Sequence, residues 1–125
     1  MNIGTTFDLV VHEKHLDTGV HEYMVWYDAK CTVISQVPSP LVRIDVECEI
    51  PEFATLLHHN SDSQSMLQCA LENIEKGVVA PLLDRTCGLQ LRIVALTLHP
   101  VDFQPFPFML HTYYYTRRQL ELMDS

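Results

Sequence analysis

Several residues in this chain have types and spacings that could carry chemistry. His12 and His15 have HxxH spacing, and His58 and His59 are adjacent. Two imidazoles so close could begin a zinc site, which needs three or four converging ligands. They fall at a strand end and a turn, where the spacing forces no common face. They read as solvated histidines, and no metal is assigned. Glu47 and Glu49 share one face of a strand, roughly 7 Å apart, and paired carboxylates can act as acid and base. Arg43 and Asp45 lie on the same face, so it reads as a solvated sheet surface. Cys31 or Cys87 would need a histidine in contact to act as a nucleophile, and no local signature provides one. No GxGxxG, GxxxxGKS/T, GxSxG or HExxH motif occurs. No catalytic residue and no cofactor are assigned. Two sets remain. Tyr113, Tyr114, Tyr115, Arg117 and Arg118 are residue types that dominate binding hot spots. His99 and Asp102 are a pair that reads as structural, or as acid and base in a small enzyme.

The elements that must position these residues follow from periodicity. Phe7, Leu9 and Val11 alternate as in a first strand, and Asp17-Thr18-Gly19 signals a turn. Val20 to Tyr27 is β-branched and aromatic, a second strand. Asp28-Ala29-Lys30 reads as a tight turn before a short strand from Cys31 to Val37, and Pro38-Ser39-Pro40 interrupts the ladder. Val42, Ile44, Val46, Cys48 and Ile50 alternate with charged residues, predicting a strand with one buried face. Glu52 to His58 reads as a helical turn or two. Leu67, Leu71, Ile74 and Val78 then mark a helix ending at Gly77 with Pro81 beyond. Leu89 to Leu98 reads as a central strand, and Met109, Tyr113, Thr116, Leu120 and Met123 as the face of a last helix. The fold class is α+β. It has two layers: a mostly antiparallel four-stranded sheet with two helices on one face, in the order β-β-β-α-β-α.

Bulk composition limits the partners. The 125 residues fit one domain over 1–125, and 47% apolar with 19% charged residues is ordinary for a packed core. Sixteen acidic residues against eight basic ones leave a net charge of −8. Nucleic-acid affinity comes largely from neutralising phosphates, so direct RNA or DNA binding is not expected, nor is an anionic membrane. A basic protein partner, a small ligand or a second copy of the chain fits better. No signal-peptide pattern and no apolar run of roughly 20 residues is present, which predicts a cytoplasmic protein. The four cysteines, with no CxxC pair, read as reduced thiols.

The second half carries a further pattern. Ile50-Pro51-Glu52-Phe53 leads into a helix holding Ala70-Leu71-Glu72 and closing on Lys76-Gly77. The apolar run Arg92-Ile93-Val94-Ala95-Leu96-Thr97-Leu98 follows, then His99-Pro100-Val101-Asp102, then Phe108. From Ile50 onward the chain resembles domain IV of translation elongation factor G. The resemblance implies a two-layer fold of the ribosomal protein S5 second-domain type, with a left-handed βαβ crossover. The glycine-rich segment that the family carries after its first strand is missing, and so is a GTPase phosphate loop, so translocase activity does not carry over. The leading expectation is a non-enzymatic binding protein that contacts the translation apparatus through protein. The alternatives are a self-associating or small-ligand-binding module, and a small enzyme using His99 and Asp102.

Overall fold

The computed structural model describes residues 2–15, 22–35, 42–49, 63–98 and 103–124. His58, His59, His99 and Asp102, the turn at 17–19 and the helical turn at 52–58 lie outside them.

Among the described residues, four strands and two helices follow in the order β1 (Thr6–His15), β2 (Tyr23–Ser35), β3 (Val42–Val46), α1 (Ser63–Leu82), β4 (Cys87–Thr97) and α2 (Pro105–Asp124). They build an α+β fold around one sheet of order β1-β2-β4-β3. The β1–β2 and β2–β4 pairings are antiparallel and β3–β4 is parallel, so the sheet is mixed. Strand alternation selects the buried face. Leu9 and Val11 of β1, Val25, Tyr27, Ala29, Cys31 and Val33 of β2, and Leu89, Leu91 and Ile93 of β4 all point into one core. α1 closes that core with Met66, Ala70, Ile74, Val78 and Leu82, a stripe with a four-residue step. α2 adds Phe108, Thr112, Thr116 and Leu120 at the same step. Each large apolar side chain fully removed from water contributes about 1.5–3 kcal/mol. No described helix is long and apolar enough to cross a membrane.

Val42, Ile44 and Cys48 pack on the core as the alternation requires, although β3 ends at Val46. Four sequence expectations are corrected. First, Asp28-Ala29-Lys30 is no turn. β2 is one strand of 13 residues, because the inward series Val25, Tyr27, Ala29, Cys31, Val33 runs through it unbroken. Second, Gly77 does not end α1, which continues to Leu82 with Pro81 in its last turn. A β-carbon on Gly77 would lie 2.6 Å from the Met109 carbonyl oxygen and 2.8 Å from Thr112 Cβ. The glycine lets two helix backbones meet. Third, Leu67 and Leu71 flank the buried stripe of α1 rather than forming it. Fourth, the buried face of α2 is centred on Phe108 and Thr112, with Met109 and Tyr113 at its margin. Polar threonines hide that face from a hydrophobicity pattern. β4 also changes phase. Its pairing with β2 slips between Asp28 and Ala29, so Val94 and Ala95 are both exposed and Leu96 turns inward. This is the signature of a β-bulge.

Candidate functional site

Past Val11 the inward face of β1 turns polar, with Glu13 and His15 in the next two inward positions. α2 packs across this end of the sheet and brings His111 and Tyr115, one helical turn apart, over the two β1 residues. Tyr23 faces His15 across the β1–β2 ladder. The five side chains form one cluster at the rim of the core.

Its geometry is close. Tyr115 Oη donates to Glu13 Oε1 at 2.6 Å, and His15 Nε2 lies 3.2 Å from Glu13 Oε2. His111 Nε2 hydrogen-bonds Tyr23 Oη at 2.7 Å, leaving His111 Nδ1 4.0 Å from Glu13 Oε1. The His15 ring stacks on Tyr23 at 4.6 Å and lies 5.8 Å from the His111 ring. The Tyr115 hydroxyl holds the Glu13 carboxyl below its usual range against the opposing effect of burial, with help from His15 and His111. Burial pushes His111 down, although the charge of Glu13 draws it up. Tyr115 is pushed up to about 12 by burial and then by its bond to Glu13, and Tyr23 is raised by burial and by the charge of Glu13. At neutral pH the cluster is therefore an ionised carboxylate beside a neutral His111, held by two protonated phenols. One ligand atom from each of Glu13, His15 and His111 lies within 4.8 Å of the others.

His12 belongs to the opposite face. It is bonded to Asp28 Oδ1 at 2.6 Å and lies flat on Trp26, with ring centroids 4.0 Å apart and planes 4° from parallel. Around this stack Val10, Trp26 and Val94 are 45%, 38% and 37% exposed. The ladder sets Val10 diagonally beside Trp26, and the bulge sets Val94 beside Asp28. Polar pairs border the patch. Lys30 lies 3.6 Å from Asp8, Gln90 bonds Asp45, and Arg92 grips Glu47 with two bonds of 2.8 and 2.9 Å. Glu47 is thereby engaged with Arg92, which holds its carboxyl below the usual range.

The Tyr-Arg set of the last helix is spread around the helix axis. Tyr115 turns to Glu13. Tyr113 accepts a hydrogen bond from Arg117 at 3.4 Å, beside a cleft shared with the end of α1. Arg117 also holds Glu121, Tyr114 is 55% exposed, and Arg118 is exposed. Cys31 and Cys87 are buried, and burial followed by the charge of Asp8 pushes the Cys31 thiol up to about 12. Thiolate chemistry at Cys31 is thereby suppressed at neutral pH. The sequence reading missed Glu13, Tyr23 and His111. Their local signals were the inward i, i+2 step of Glu13 and His15 and the i, i+4 step of His111 and Tyr115. Joining the two steps requires a contact between residues 102 apart. No protein-family model matches the chain, and no curated protein matches it either.

Proposed function

We propose that this chain is a non-enzymatic cytoplasmic binding protein that receives a basic protein partner on the open face of its sheet, within the translation apparatus. The observation that carries the reading is the patch of Val10, Trp26 and Val94 around the His12–Trp26 stack. Exposed apolar side chains surround the His12–Asp28 pair, a mix of apolar and polar groups found at protein-binding surfaces. Tryptophan is among the residues that dominate binding energy when a partner covers them. The net charge of −8 steers a cationic partner toward the molecule and opposes RNA. The translation setting rests on the resemblance to elongation factor G domain IV.

Trp26 is the only tryptophan in the sequence, so its fluorescence reads the patch directly. The test is co-sedimentation with ribosomes, followed by titration of Trp26 emission with the RNA-free basic ribosomal protein fraction. Wild type should pellet with ribosomes and show a saturable emission change. Val10→Glu and Trp26→Ala should abolish pelleting while remaining folded by circular dichroism. Equal pelleting of these variants, or no pelleting of wild type, would overturn the reading. Concentration-dependent self-association that buries Trp26 without ribosomes would replace the partner by a second copy.

A further inference from the structure

We propose that Glu13, His15 and His111 form a binding site for a divalent transition metal of the zinc class. This goes beyond the protein-binding reading and lies on the other face of the sheet. The donor set selects the ion. Imidazole suits zinc, copper, nickel and iron, whereas calcium and magnesium seek oxygen ligands. Two imidazoles and a carboxylate are the three protein ligands of a zinc site that keeps one position open.

The geometry suits the same ion. Ligands at 2.0–2.2 Å in tetrahedral array lie about 3.3 Å from one another. His15 Nε2 and Glu13 Oε2 are already 3.2 Å apart. His111 Nδ1 and Glu13 Oε1 are 4.0 Å apart, and no pair within the three exceeds 4.8 Å. Closing the set takes a side-chain movement of about 1.5 Å at most.

Two outer partners set the ligands in place, as second-shell groups do around bound metals. Tyr115 donates to Glu13, which orients the carboxylate. Tyr23 holds His111 by Nε2, which aims Nδ1 at Glu13. With a metal on Nδ1, Nε2 carries the proton and donates a hydrogen bond to Tyr23 Oη. The ring of Tyr23 also supports His15 by stacking. His111 sits toward the core and His15 on the exposed side, so an ion can enter from solvent, and water can take the open position.

The test is calorimetric titration of the metal-free full chain with zinc chloride, with cobalt(II) absorption as a report on coordination geometry. The expected result is one ion per chain, micromolar or tighter, with the intense visible bands of tetrahedral cobalt. His15→Ala and Glu13→Gln should each abolish those bands. Tyr115→Phe should weaken binding roughly tenfold to a hundredfold while leaving the bands in place. His12→Ala, on the opposite face, should bind as wild type does. His15 is exposed, so its variant keeps the test valid should substitution at His111 unfold the chain. Millimolar binding by wild type, unchanged binding by His15→Ala, or loss of binding only in a His58→Ala/His59→Ala double variant would overturn the proposal.

Discussion

Two threonines one turn apart in α2, both fully buried, should respond oppositely to the same substitution. The Thr112 hydroxyl meets Tyr27 Oη at 2.6 Å. The Thr116 hydroxyl has no partner among the described residues. Valine has nearly the shape of threonine without the hydroxyl. Thr112→Val leaves the Tyr27 phenol buried and alone and should cost about 1–3 kcal/mol. Thr116→Val removes only an unpaired polar group and should stabilise the fold by about 1 kcal/mol. Urea denaturation midpoints read both, and a shared sign would refute the assignment of partners. The thiols divide in the same way. Cys48 and Cys69 are half-buried, whereas Cys31 and Cys87 are buried. A disulfide reagent at pH 8 should modify the first pair in the native protein and the second only after unfolding, as read by peptide mass mapping. Neither contrast was legible in the sequence, because Thr112 and Thr116 differ only in what lies opposite them.

At the scale of elements, legibility followed the strength of the period. β3 alternates apolar and charged residues without exception, and its inward side was read correctly at Val42, Ile44 and, just beyond the strand, Cys48. β2 was read as two pieces because Asp28 and Lys30 resemble a turn. They are the outward residues of a strand whose inward residues continue past them. Gly77 was read as a helix stop because glycine favours ends. Its role is set by α2, which no local pattern reports. Gly77→Ala therefore tests two opposing effects. Alanine gains about 0.5–1 kcal/mol of helix preference, but its β-carbon would overlap a carbonyl, and overpacking costs about 1–3 kcal/mol. The overlap is with backbone, so the second effect wins, and the thermal midpoint should fall. The cross-strand Arg92–Glu47 pair adds a pH dependence. Arg92 lowers the Glu47 pKa below its ordinary value of 4.5. Stability from the pair is therefore present at neutral pH and is lost as pH falls through the folded-state pKa. The gap in thermal midpoint between wild type and Glu47→Gln should be positive at pH 7 and close in acid. A gap that persists at pH 2 would refute it.

For the whole molecule, charge makes the firmest claim. Six phosphate contacts would require most of the eight basic residues on one surface. Instead Arg92 faces Glu47, Arg117 faces Glu121 and Lys30 faces Asp8. Affinity for ribosomal RNA fragments should be no tighter than about 10 μM at physiological salt, and a submicromolar, salt-sensitive gel shift would contradict this. The α+β architecture was legible because it depends on periodicity summed over whole elements. The Glu13–His15–His111 cluster was not, because it exists only where β1 and α2 meet. That meeting carries a consequence in time. Synthesis adds roughly 5–20 residues per second, so β1 emerges about 5–20 s before the helix bearing His111 and Tyr115. During that interval Glu13 and His15 face a core that is not yet closed. The cluster is thus among the last features the nascent chain can assemble, and a chain arrested before Pro105 would have α1 to pack on β3 and β4 but would leave the β1–β2 side of the apolar face without the helix that covers it.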